Sequence, residues 1–267
     1  LYGPSFSIYP PCYAHDVIFS TALRIRGAEI VPIYCDRVQH TECNFFGGVW
    51  GGGSKFPQNC LRCSKTSRKM WEHMGLSPLA FSSYIDSDEG RQIEAEVAAL
   101  RDEAWMSYSS DGLSFGQWAK DILVNNYVVG DYRLIEGHER LGRAHLRNLL
   151  IVRTAYHNIL DEVKPDRVVA NDSYYGMWAI LQKLCERREI PFYSHWSGTR
   201  PGAWCYAYND ASMNMNYSRA WPAFSVIPLS DARRKTVDEW LIGRFSGKDM
   251  ILDTASLAPH CNEEADL

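Results

Sequence analysis

The chain has 267 residues, 46% of them hydrophobic, which is enough to bury a sizeable core and fits one large domain with a small insertion. Its 28 basic and 32 acidic residues are spread along the sequence for a formal charge of -4, which excludes a broad electrostatic footprint for nucleic acid or an anionic membrane and favours a small or neutral ligand. No apolar run approaches the roughly 18 residues of a membrane span, and the opening Leu1, Tyr2, Gly3, Pro4 is neither an initiator Met nor a basic-then-apolar leader, so a soluble, cytoplasmic chain is expected, with an upstream segment left open.

Leu1 and Tyr2 read as the end of a strand, Gly3 to Pro11 as a turn-rich loop, and Ala14 to Arg26 as a helix through Val17, Ile18, Thr21, Ala22 and Ile25. Glu29 to Tyr34 is a short β-branched run of the kind that enters a buried parallel sheet, which completes a βαβ unit. From Cys35 to Leu76 periodicity is lost until a helix-like stretch from Lys65 to His73, so this span reads as an insertion or elaborated loop. Helical spacing returns at Asp88 to Met106 and Phe115 to Asn125. It is strongest at His138 to Val163, where Leu141, Leu149, Val152, Tyr156, Ile159 and Val163 share a face. Pro165 stops that helix, Arg167 to Ala170 is a β run, Tyr175 to Arg188 an amphipathic helix and Pro191 to Trp196 a strand, giving a second βαβ unit. Trp196 to Trp221 reads as an aromatic-rich connector whose faces suit sugar rings, an interdomain surface or plain core packing. One further helix, Asp231 to Ile242, precedes a polar and acidic tail.

Four of the eight cysteines, Cys35, Cys43, Cys60 and Cys63, fall in the aperiodic span. The last two have the Cys-x-x-Cys spacing that lets two thiolates converge on one ion, and four such ligands make a closed tetrahedral site. A structural zinc suits soft thiolates and would stabilise a loop with little apolar content. An iron–sulfur cluster, two disulfides or unliganded thiols are the alternatives for the same residues, and His40 and His73 are candidate substitute ligands. The glycine-rich 47–53 stretch is not a phosphate loop, because the Gly-Lys-Ser/Thr order is absent.

Ligands of open parallel sheets bind beyond the carboxyl ends of the strands. Asn171, Asp172, Ser173 and Tyr174 occupy one such end, directly before a helix, where they would hold a hydroxyl, carboxylate or phosphate oxygen or simply cap the helix. The next strand leads through His195 to Gly198 and Arg200, an imidazole for proton transfer and a guanidinium for an anion, with a buried structural histidine as the plain alternative. In the first unit His15 is a second candidate base, and Asp16 either orients an imidazole or caps the helix. A nicotinamide-binding reading is discounted, since no G-x-G-x-x-G follows the first strand.

The βαβ opening with Ala14, His15 and Asp16 resembles the amino-terminal half of GT-B fold glycosyltransferases and related capsule or surface polysaccharide biosynthesis proteins. Tyr34, Cys35 and Asp36, the later cysteines, Gly75 and Leu76, Pro165 and Asp166 before Val168 to Asn171, and Ile190 and Pro191 before His195 carry the same resemblance. It implies an α/β domain over residues 1–245, a Rossmann-like parallel sheet with helices on both faces and the cysteine-rich insertion at 35–76. Residues 246–267 would be a linker or tail toward a missing carboxyl-terminal domain or partner subunit. The implied reaction is transfer of a sugar from a nucleotide sugar to a glycan acceptor, with His15, His195 and Asp16 in catalysis. Asn171, Asp172, Ser173, Tyr174, Gly198 and Arg200 would hold substrate. The implied place is the cytoplasm, including a peripheral position at the inner membrane. A non-catalytic, metal-stabilised binding or assembly module is the alternative.

Overall fold

The computed structural model describes residues 1–5, 10–38, 43, 56–171, 174, 176–198 and 203–246. Strands β1 (Tyr2–Ser5), β2 (Pro32–Tyr34), β3 (Leu79–Ala80), β4 (Val168–Asn171), β5 (Phe192–Ser197) and β6 (Trp204–Tyr208) form one sheet in the order β3-β2-β1-β4-β5-β6. Every neighbouring pair is parallel except β5 with β6. The chain leaves β1 toward β2 on one side and returns on the other side at β4, which makes the β1/β4 boundary the point where strand order reverses.

The helices are α1 (Pro10–Ile25), α2 (Phe56–His73), α3 (Ser87–Ala99), α4 (Phe115–Tyr127), α5 (His138–Val163), α6 (Gly176–Arg187), the short α7 (Trp221–Phe224) and α8 (Asp231–Phe245). They divide between the sheet's two faces by side-chain parity, since successive residues of a strand point to opposite sides. Ile33, Val168, Ala170 and Phe192 join the large core with α5, α6 and the α3–α4 layer. Tyr2 and Val169 pack on the other face against Met70 and Trp71 of α2 and Val17 and Phe19 of α1. Both faces are therefore covered, and the sheet is mostly parallel and α/β.

Helix α5 bears out its apolar spacing over its whole length: Leu146, Leu149, Val152, Tyr156 and Ile159 are buried, and Lys164 turns left-handed at the end, just before Pro165. Asp86 caps α3, its side chain accepting from the N–H groups of Asp88 and Glu89 at 2.7 and 3.0 Å. Trp105, fully buried, fits against two glycines: a Cβ on Gly142 of α5 would lie 2.4 Å from its ring, and one on Gly116 of α4 would lie 2.2 Å from its carbonyl oxygen. Those contacts let the Trp105 segment lie close against both α4 and α5.

Several expectations change: the helix read over Asp88 to Met106 ends at Ala99, with a separate 3-10 turn over Asp102–Ser107, and the helix read from Ala14 begins at Pro10. The strand expected to end at Tyr2 continues to Ser5, because Tyr2 and Ser5 pair with Pro32 and Tyr34 of β2. The helix expected from Lys65 begins at Phe56, so Cys60 and Cys63 lie on its first turns and not in a tight loop. Leu79–Ala80 forms a two-residue edge strand that the sequence left unassigned. The aromatic connector contains β6, held to β5 by five register pairs. Among the described residues no helix is long and apolar enough to cross a membrane.

Candidate active site

Register selects what faces α1. Asn171 pairs with His195, and His195 with Tyr206. By parity these side chains lie on the sheet face opposite Ala170 and Ser194, the face that α1 covers. The alternation along β6 places Trp204, Tyr206 and Tyr208 on that same face.

Helix α1 supplies the other half. Its start at Pro10 puts His15 and Asp16 in the second turn, one directed toward β5 and β6 and the other toward β1. The Asp16 carboxylate accepts from the Tyr2 hydroxyl at 2.9 Å, and its Oδ1 lies 3.4 Å from His195 Nε2. The Tyr2 hydroxyl is itself 3.5 Å from His195 Nε2. His15 Nε2 and the Tyr206 hydroxyl are 2.5 Å apart. The His15 ring is 4.5 Å, centroid to centroid, from that of His195, stacks on Trp204 at 3.8 Å and meets Phe19, one helical turn on, at 5.7 Å. His15, Asp16 and His195 retain 7%, 2% and 0% of their surface. Among the described residues they are the group of histidine, cysteine and acidic side chains whose ligand atoms lie within 4.8 Å of one another.

Helix capping, the plain reading of Asp16, is set aside by this geometry: the residue is inside α1 and its carboxylate accepts from the Tyr2 hydroxyl. Burial and the neighbouring His195 ring lower the His15 imidazole to about 4, with Asp16 opposing them. It is neutral at physiological pH and keeps a basic lone pair. Burial, reinforced by Asp16, raises the Tyr206 phenol, which stays protonated and available to hydrogen-bond the imidazole. Four buried polar atoms at the strand ends have no hydrogen-bond partner among the described residues: Ser5 Oγ, His15 Nδ1, Asn171 Oδ1 and His195 Nδ1. Native structures rarely leave such groups unmatched, and four of them lie together here.

Of the expected substrate contacts, Asn171 is buried at the end of β4, and Tyr174 is exposed. Gly198 is buried, and its N–H donates to the Ala203 carbonyl at 2.8 Å; a Cβ there would come within 3.0 Å of Ala203, so its role is close packing of the β5–β6 connection. Asp172, Ser173 and Arg200 lie outside the described residues, as does His40. Cys35 directly follows β2, and His73 is the last residue of α2. Burial and the nearby Cys63 push the Cys60 thiol up, so it is protonated in the metal-free chain. Sequence reasoning missed Tyr2 and, although it singled out the aromatic stretch that holds Tyr206, missed that residue's place beside His15. Each enters through strand pairing and not through a local motif, and alternation of aromatic residues over 204–208 was the available signal.

Compared with family models, curated proteins and solved structures, the chain matches none.

Proposed function

We propose that this chain is the acceptor-side half of a GT-B-type glycosyltransferase of surface polysaccharide biosynthesis, moving a sugar from a nucleotide sugar to a glycan acceptor. The observation that carries this reading is the buried meeting of His15 and Asp16 from the first βα unit with His195 from β5, at the carboxyl ends of parallel strands beside the order reversal. Glycosyl transfer needs the acceptor hydroxyl to lose its proton as its oxygen bonds to the anomeric carbon and the nucleoside diphosphate leaves. A neutral imidazole does this, and His15 is kept neutral by its surroundings. Asp16 balances the charge that the ring gains, and Trp204 and Tyr206 offer aromatic faces beside it, the second 49% exposed. The donor nucleotide would be held by a carboxyl-terminal domain or partner subunit.

The test is saturation-transfer NMR on the purified chain with a panel of oligosaccharides and nucleotide sugars, followed by donor-hydrolysis and transfer assays with a carboxyl-terminal half supplied. Contacts to an oligosaccharide that weaken in Trp204→Ala are expected. Absence of contact with every glycan and nucleotide sugar, together with absence of transfer, sinks the reading.

A binding or assembly module is the second reading, favoured by one observation: Trp221, Phe224, Val226, Ile242 and Phe245 are all exposed along the segment containing α7 and α8. Turnover in the reconstituted protein that His15→Ala abolishes without loss of fold would exclude it.

A further inference from the structure

The separation of Asp16 and His195 is informative in itself. At 3.4 Å, His195 Nε2 and Asp16 Oδ1 are farther apart than a good N–H to oxygen hydrogen bond, which centres near about 2.9 Å. The distance is instead the bite of two ligands on one tetrahedral ion: bonds of about 2.0–2.1 Å at the tetrahedral angle place the two donor atoms about 3.3–3.4 Å apart. His15 supplies a third donor. Its Nε2 lies 2.5 Å from the Tyr206 hydroxyl, and in the tautomer that donates Nε2–H to that oxygen, Nδ1 is a buried lone pair with no hydrogen-bond partner among the described residues. The three residues present their ligand atoms within 4.8 Å of one another.

We propose that His15, Asp16 and His195 form a binding site for a divalent transition-metal ion, zinc by ligand type and bite, with the fourth position left to water or a substrate oxygen. Two imidazoles and one carboxylate are the donor set of an open zinc site and differ from the closed all-thiolate set considered for the cysteines. The surroundings have the form such sites need. Tyr206 holds the far nitrogen of one ligating ring, and the Tyr2 hydroxyl, 2.9 Å from Asp16 Oδ1, holds the carboxylate. Phe19 and Trp204 flank the His15 ring and limit water around it.

One consequence rests on the transferase reading, although the metal site does not. A nitrogen lone pair bound to a metal does not accept a proton, so the metal-loaded cluster cannot use His15 as the base. Zinc would then inhibit sugar transfer by removing the base.

Titration of the chelator-stripped chain with Co2+ and then Zn2+, with no sugar present, tests the site. One Co2+ per chain is expected, with the visible absorption of a tetrahedral ion and without thiolate-to-cobalt charge transfer, and Zn2+ should displace it. Affinity should fall roughly tenfold or more in His195→Ala and Asp16→Asn and stay unchanged in the Cys60→Ser, Cys63→Ser double variant. Because the first two substitutions are buried, the unsubstituted chain provides an independent reading: zinc should shift the imidazole 15N resonances of both His15 and His195. The proposal is overturned if no Co2+ binds, if binding brings thiolate charge transfer and disappears with the cysteines, or if zinc leaves both imidazoles unshifted. Metal binding without any glycan contact would sink the transferase reading alone, and glycan transfer without metal binding would sink this proposal alone.

Discussion

His15, on α1, and His195, on β5, bring their rings to a centroid separation of 4.5 Å with the Asp16 carboxylate beside them. The two rings are not equivalent. His15 reaches toward the half-exposed Tyr206, while His195 is fully enclosed. His15→Ala is therefore expected to lower transfer by about 10²–10⁴-fold, the usual contribution of a general base, with little change in glycan binding. Comparing kcat and KM in the reconstituted enzyme checks this; a rise in KM alone would assign His15 to binding.

Tyr206→Phe separates two uses of one side chain. The substitution keeps the aromatic face and removes the hydroxyl 2.5 Å from His15 Nε2. Turnover should drop roughly tenfold, on the order of one net hydrogen bond, while oligosaccharide contacts persist; Tyr206→Ala should lose both. Equal effects of the two variants would mean that the hydroxyl does not position the imidazole.

Stability of the metal-free chain should fall as pH drops below about 6.5, the ordinary histidine value. Burial lowers both His15, to about 4, and His157, the latter also through Arg188 and Arg153. Below about pH 6.5 the unfolded chain takes up protons that the folded chain refuses, so protonation favours unfolding. The loss attributable to His15 continues down to its folded value and is on the order of 2–3 kcal/mol. Urea midpoints in chelator at pH 7.5 and 5 measure it, and His157→Gln should flatten part of the slope.

Gly142→Ala tests the fit of Trp105 against α5 in the large core. Alanine normally favours a helix interior over glycine by about 1 kcal/mol, but here its methyl would lie 2.4 Å from the Trp105 ring. Overpacking costs about 1–3 kcal/mol or more and should prevail. Chemical denaturation should therefore show net destabilisation; a more stable variant would mean that Trp105 shifts freely.

Long-range periodicity made the helical layer legible. The apolar face of α5 repeats over its 26 residues, so its bounds, His138 and Val163, could be read directly. The first turns of α2 carry Gln58, Asn59 and Arg62 among the cysteines, and that polarity hid the helix start. Strand β6 was hidden for a different reason: it is an antiparallel edge with only partial burial, so Tyr206 and Tyr208 stay about half exposed on the α1 face, without the enclosed apolar run of a central strand. For the site, the strand-end rule found His15, Asp16, Asn171 and His195. It could not find Tyr2, whose link to Asp16 exists only once α1 lies across β1.

The aromatic edge formed by β6 has a calorimetric consequence. Tyr206 and Tyr208 keep 49% and 59% of their surface in water. A ligand laid along that edge dehydrates apolar surface, so its binding should carry a negative heat-capacity change, one that shrinks in Tyr208→Ser. An ion held only by His15, Asp16 and His195 covers almost none of that surface. The temperature dependence of binding enthalpy thus distinguishes occupation of the edge from occupation of the cluster before any reaction is assayed.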